Sequence, residues 1–237
     1  MDWKTLRRQF ITMDKQTIKI SVITPTIREQ SLKLMGDCLR AQTFRDFEWI
    51  VDINITGEHD LNRSFNKLIK RSSGELIVFY EDYSKIPPNA LEKWWKAYQD
   101  HPNVCWTAPL GKVKNLDFTG EIKWDWRAWT DGKQVTDHMP SSWNTCELDW
   151  GAIPRKVLYE IGGFEEKLDQ WWSCDNLAVG KLAYLKGYTF KNYFKNPAIA
   201  YDHDAFIEHP FRANYNSLEA NSIIGGYTPE TKLPYLD

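Results

Sequence analysis

Gly74-Glu75-Leu76-Ile77-Val78-Phe79-Tyr80-Glu81-Asp82-Tyr83 combines a buried strand and a pair of acids in ten residues. Residues 76–80 form a nearly continuous apolar run, β-branched and aromatic, as in a strand covered on both faces of a parallel sheet. The run stops abruptly at Glu81 and Asp82. Open α/β sheets bind ligands outside the carboxyl ends of their strands, so acids placed there are within reach of a divalent cation and a phosphate. Taken alone, the same two residues are also explained as solvated loop carboxylates.

On the amino-terminal side, Ile18-Lys19-Ile20-Ser21-Val22-Ile23-Thr24 alternates and is β-branched, predicting a first strand that stops at Pro25-Thr26. The following loop lacks glycine, which argues against a dinucleotide fingerprint or a P-loop, since both need glycine to bring backbone close to phosphates. Leu32, Met35 and Leu39 recur at helical spacing over residues 31–42. Phe47-Glu48-Trp49-Ile50-Val51-Asp52-Ile53 reads as a second strand, again ending near an acid. Leu61, Phe65, Leu68 and Ile69 share one face of a helix over 61–70, closed by Ser72-Ser73-Gly74. Beyond the acids, Pro87-Pro88-Asn89 opens a helix through Leu91, Trp94, Trp95 and Tyr98, which His101-Pro102 terminates. Val104-Cys105-Trp106-Thr107-Ala108 is the next strand. Strand and helix thus alternate over residues 18–108, which predicts a mostly parallel sheet with helices on both faces.

The alternation then gives way to a β-rich excursion over residues 110–146, where Trp124, Trp126 and Trp129 lead to an Asp131-Gly132 turn. These rings either cover the sheet or line an acceptor groove. Helices are expected over 154–161, ended by Gly162-Gly163, and over 175–186, ended by Gly187. Short strand-like runs over 190–201 lead into Asp202-His203-Asp204. The tail, residues 206–237, carries a short helix, Gly225-Gly226 and Pro229, with no place in this alternation. A single domain over 1–237 is expected, with one half at about 18–108 and a second at about 109–205.

Composition narrows the function classes. With 26% charged residues and a net charge of -2, no strong field draws the chain to nucleic acid or an acidic membrane, although a nucleic-acid acceptor stays open. Its 12 Trp supply more flat aromatic surface than a core of this size needs, and such faces serve as platforms for sugars and bases. Cys38, Cys105, Cys146 and Cys174 form no Cys-x-x-Cys pair, which argues against structural zinc and makes a reducing, cytoplasmic setting the default. The first residues lack the apolar core of a signal peptide, and no run approaches a membrane span.

Five segments in order resemble the family 2 glycosyltransferases of the GT-A fold, over roughly residues 18–205. They are Pro25-Thr26 after the first strand, the run from Gln42-Thr43-Phe44 through Asp46-Phe47-Glu48 to Asp52, and Asn66 spaced before Gly74-Glu75. Ile161-Gly162-Gly163-Phe164-Glu165-Glu166 and Cys174-Asp175-Asn176 with Gly187-Tyr188 complete the set. The chain departs from the family pattern in Glu81-Asp82-Tyr83, where Tyr83 replaces a second acid, and in Cys174, which replaces a glutamate beside Asp175.

The resemblance implies an inverting, metal-dependent transfer of a sugar from a nucleotide-diphospho-sugar, expected to be a UDP-sugar, to a hydroxyl of a saccharide, a protein or a nucleobase. Asp82, with Glu81 second, would ligate Mn²⁺ or Mg²⁺, for which carboxylate oxygens are suited. His203 resembles the late histidine that some relatives fold onto the diphosphate; a surface histidine bonded to Asp202 or Asp204 explains it too. Asp175 would be the base on the face opposite the leaving group, being ionised at neutral pH from a free value near ~3.9. It serves equally as a helix cap, and Asp169 is the reserve. Asp52 and Asn54 would hold base or ribose, within walls made by Thr24, Pro25 and Thr26, and Arg63 would meet the diphosphate. Asp149, Trp150 and Trp172 would hold acceptor or sugar. Structural readings stand beside these: a strand cap for Asp52, an exposed helical arginine for Arg63, a buried ring for Trp150. Two other functions fit less of the chain: a carbohydrate-binding relative that has lost catalysis, and a sugar-phosphate nucleotidyltransferase, which wants a glycine-rich basic loop after the first strand.

Overall fold

The computed structural model describes residues 18–27, 29–53, 60–108, 110–113, 118, 120–124, 129–130, 133–134, 139–145, 150–169, 174–193, 198–201 and 218–237. The predicted βα alternation is present. Strand β1 (Ile20–Thr26) is followed by helix α1 (Leu32–Arg40), β2 (Phe47–Ile53), α2 (Leu61–Arg71), β3 (Leu76–Phe79), a two-residue β4 (Ser84–Lys85), α3 (Ala90–Asp100) and β5 (Val104–Thr107). Parallel pairing puts β1 between β2 and β3, with Ile20 opposite Phe47 on one side and Leu76 on the other.

One expectation needs correcting. β1 does not stop at Pro25: it pairs with β2 as far as Thr26 opposite Ile53. β3 leaves β1 at Ile23, so Pro25 has one neighbouring strand only, an edge position where its missing N–H is tolerated. In the sheet, β5 is separated from β3. A short strand, β11 (Ala152–Pro154), enters between them antiparallel to both, Ala152 facing Val78 and Trp106. With β10 (Pro140–Ser141) and β12 (Thr189–Asn192), the seven-stranded sheet has the order β10-β12-β5-β11-β3-β1-β2. β1, β2, β3, β5 and β12 run one way, β11 and β10 the other. A three-residue strand carries too little periodicity to be read from sequence, and its last residue, Pro154, is also the first of the helix expected over 154–161.

Side chains alternate across this sheet, as the pleat requires. Ile20, Val22, Leu76, Val78 and Trp106 face Met35 and Leu39 of α1 and Leu91, Trp94 and Ala97 of α3. Ile23, Ile77, Phe79, Cys105 and Ile153 face Phe65, Leu68 and Ile69 of α2, with Val157, Leu158 and Ile161 of α4 (Arg155–Ile161) and Val179, Leu182 and Ala183 of α5 (Cys174–Leu185). Both faces are therefore covered, each large apolar side chain contributing about 1.5–3 kcal/mol by its burial. Several Trp belong to this core: Trp94 and Trp106 are fully buried, and Trp94 Nε1 donates to the Tyr80 hydroxyl at 2.8 Å.

The β-rich excursion forms part of a second sheet, of order β4-β13-β6-β7, built from β6 (Leu110–Val113), β7 (Lys123–Trp124) and β13 (Ala198–Tyr201) with β4. β8 (Trp129–Thr130) and β9 (Lys133–Gln134) pair antiparallel around the expected Asp131-Gly132 turn, which itself lies outside the described residues. The tail acquires a place: α6 (Leu218–Gly225) packs on α5, while Leu233 and Leu236 insert beside α4 and α2. No helix among the described residues is long and apolar enough to cross a membrane.

Candidate functional site

The carboxyl ends of β1, β2 and β3 lie side by side, and the acids leave β3 where the chain crosses to the second sheet at β4. Asp82 is 1% exposed, yet it sits in a loop. Its Oδ2 accepts the Thr26 hydroxyl at 2.5 Å, so the end of β1 grips the acidic turn across 56 residues of sequence. A buried carboxylate needs such donors, because desolvation of an unpaired charge costs several kcal/mol. Glu81 is half-buried, and its carbonyl accepts the Ser84 N–H, closing the turn. Trp150, 3% exposed, supports this turn from below: its Nε1 donates to Ser84 Oγ at 2.5 Å and its ring meets Tyr83 edge-on at 6.0 Å. Trp150 is thus a buried ring that props the acidic turn.

The predicted donor-pocket residues converge on the same edge. Thr24 is buried, with its hydroxyl accepting Trp49 Nε1 at 3.0 Å, and Pro25 stands opposite Asp52 in the β1–β2 register. Asp52 is half-buried, 3.8 Å from Lys67 Nζ of α2. Arg63 points elsewhere: its guanidinium meets Glu166 at 3.4 Å, and that hydrogen bond raises its pKa further. Asn54, Asp149, Trp172 and His203 lie outside the described residues. β13 runs antiparallel to β4 with Ala200 opposite Ser84, so the chain leaves β13 at Tyr201 on the side of Tyr83 and Asp82.

Asp175 is in the first turn of α5, the helix start that the sequence predicts; its side chain lies outside the described residues. The loop before it, residues 162–169, is tied to α2. Asn66, buried, donates from Nδ2 to the Phe164 carbonyl at 2.9 Å and to Glu166 at 3.0 Å, and its Oδ1 accepts the Phe164 N–H at 2.8 Å. Asp169 Oδ1 accepts the backbone N–H of Asn62 at 2.6 Å, capping α2 from a distant loop in place of Asp60, which makes no side-chain cap. Burial pushes the Asp169 carboxyl up to about 6; the N–H groups of Asn62 and Arg63 oppose this and the Asp60 charge adds to it. The Thr26–Asp82, Trp150–Ser84 and Asn62–Asp169 contacts escaped the sequence reading. Asn66 was visible there only as a spacing.

The acids suit a hard divalent cation. Asp82 and Glu81 would hold such an ion in company with water and substrate phosphates, the usual arrangement for Mg²⁺; among the described residues no group of three His, Cys, Asp or Glu side chains is placed to hold a metal.

No protein-family model and no curated protein matches the chain. Solved structures do. A 1–349 fragment of S. aureus TarS in complex with UDP aligns at 15% identity and a TM-score of 0.57, over 77% of this chain and 60% of that one. The same fragment with UDP-GlcNAc gives 15% and 0.55 over 78% and 58%. GalNAc-T7 with UDP, GalNAc and Mn²⁺ gives 11% and 0.58 over 79% and 44%. The chain therefore spans 60% or less of these neighbours' lengths. It has the GT-A fold, as the order of sequence segments implied.

Proposed function

We propose that this chain is a glycosyltransferase that moves a sugar from a UDP-sugar to a hydroxyl acceptor with inversion at the anomeric carbon. The observation that carries the reading is the convergence of Thr24, Pro25, Thr26, Asp52 and Asp82 on one sheet edge, in a fold whose solved neighbours hold UDP, UDP-GlcNAc or UDP with Mn²⁺.

Each residue then has a role that follows from its place. Asp52, at the end of β2, accepts hydrogen bonds from the base or ribose, with Asn54 beside it in sequence. Thr24 and Pro25 wall that pocket. Asp82 and Glu81 hold the divalent ion, Mn²⁺ or Mg²⁺, which when bound offsets the charge developing on the departing diphosphate. Thr26 fixes the Asp82 carboxylate through its hydroxyl, so that ligand needs little reorganisation. His203, two residues beyond the end of β13 in sequence, is a further candidate ligand. Asp175, at the start of α5, takes the acceptor's proton as the new glycosidic bond forms and the bond to the diphosphate breaks. Asp149 and Trp172 are the candidates for holding acceptor or sugar, and Trp150, being buried, serves by supporting the acidic turn.

A melting screen of UDP, GDP and dTDP sugars with and without Mn²⁺ tests the donor. A ligand that binds only the native state adds about 2.7 kcal/mol at ~100 times its Kd. UDP-sugars should stabilise the chain and be turned over, and Asp175→Asn should keep that stabilisation while transfer falls by ~10²-fold or more. Absence of binding by every nucleotide sugar refutes the reading. Binding without turnover by the wild type replaces it with a carbohydrate-binding relative, and undiminished transfer by Asp175→Asn removes Asp175 as the base.

A further inference from the structure

Residues 218–237 pack against residues 161–168 and against α5, the helix whose first turn carries Asp175. The strap runs alongside the end of α4: the Leu233 N–H donates to the Ile161 carbonyl at 2.8 Å and the Tyr235 N–H to the Gly162 carbonyl at 3.1 Å. The Gly-Gly pair is the receptor for it. Gly162 has φ of 84° and Gly163 of 100°, both in the left-handed region that favours glycine. A Cβ on Gly162 would lie 1.8 Å from the Leu233 carbonyl oxygen, and one on Gly163 2.9 Å from Leu236 Cγ. Leu233 and Leu236 are buried there.

Polar contacts extend the grip in both directions. The Tyr235 hydroxyl donates to Glu165 Oε1 at 2.7 Å, and Glu165, although an acid, is buried. Burial first pushes the Tyr235 and Tyr227 hydroxyls above their ordinary range, with the hydrogen bond to Glu165 next for Tyr235 and the Glu165 charge next for Tyr227, so both stay protonated. Lys181 Nζ of α5 donates to the Ile224 carbonyl at 2.6 Å, and Lys186 Nζ, just past the end of α5, to that of Pro229 at 2.7 Å. Ala220 and Ile224 of α6 pack on Leu168 of the loop and Ala178 of α5. Residues 161–169 and the first turns of α5 are thus held between the main core and the tail.

We propose that residues 218–237 form a positioning strap for the catalytic base, with Tyr235 as its principal positioning residue acting through Glu165. This rests on Asp175 being the base of the proposed transfer. A proton acceptor misplaced by 1 Å loses rate steeply, whereas the nucleotide pocket at the ends of β1–β3 is built from other residues than the strap and keeps its affinity.

The test compares Tyr235→Phe and Leu236→Ala with Lys232→Ala, which breaks only the exposed ion pair to Asp237. UDP affinity is measured by calorimetry, UDP release from UDP-GlcNAc by steady-state kinetics, and amide exchange over residues 174–178 by mass spectrometry, all where circular dichroism shows each variant folded. Tyr235→Phe should keep UDP Kd and donor KM within about twofold while kcat falls about tenfold, the scale of one hydrogen bond to a charged group. Exchange at 174–178 should quicken by a similar factor, and Lys232→Ala should match the wild type throughout. An unchanged kcat, or a loss of UDP affinity parallel to kcat, overturns the strap. A wild type that releases no UDP refutes the transfer reading instead. The exchange data then decide the strap: quickened exchange in Tyr235→Phe supports it, unaltered exchange overturns it.

Discussion

Replacing Asp169 by Asn removes one titration and little else, since the amide oxygen can still accept the Asn62 N–H that Oδ1 accepts at 2.6 Å. Burial raises this carboxyl from 3.8 to about 6. The folded chain therefore binds the proton more tightly than the unfolded chain does. The sign follows: the stabilisation is fully present below pH 3.8 and is lost as pH rises through about 6. At ~1.4 kcal/mol per pH unit the full difference is about 3 kcal/mol, and partial hydration of the carboxyl reduces the expected effect to about 1–2 kcal/mol. Urea denaturation followed by Trp fluorescence, on wild type and Asp169→Asn at pH 4, 5, 6 and 7, isolates this group, because every other titration cancels in the difference. The wild type should lose about 1–2 kcal/mol relative to the variant between pH 4 and 7. A flat difference would show that Asp169 keeps its free proton affinity. A difference that grows in favour of the wild type would show that the helix N–H groups outweigh desolvation.

Two further outcomes test the site and the Gly-Gly receptor. Asp82→Asn keeps the Thr26 contact but halves the charge offered by the acidic pair, so it should abolish the Mn²⁺-dependent part of UDP binding with the fold intact; unchanged metal dependence in calorimetry would move the role to Glu81. Gly162→Ala forces a Cβ onto the Leu233 carbonyl at a left-handed φ; the backbone strain alone costs about 1–2 kcal/mol and displacement of the strap more, so a melting temperature within a degree of the wild type would refute the receptor geometry.

The amino-acid sequence by itself determined the βα alternation of residues 18–108, because period-2 and period-3.6 apolar patterns are local properties of the chain. It also placed Glu81-Asp82 at a strand end, Asp52 at another, and Asp175 at a helix start. Ordered motifs then supplied the GT-A resemblance that the solved neighbours bear out at the level of fold. What it left undecided depends on residues brought together from far apart. β11 was missed because three residues have no readable period, and its antiparallel entry between β3 and β5 is a choice of the sheet. Thr26 gripping Asp82, Asn62 capped by Asp169, and Trp150 under Ser84 link positions 56, 107 and 66 residues apart, and no local pattern encodes such pairs. The same holds for the tail. Leu233, Tyr235 and Leu236 form no periodic element, and only the left-handed turn at Gly162-Gly163, open because it lacks side chains, gives them a surface to occupy.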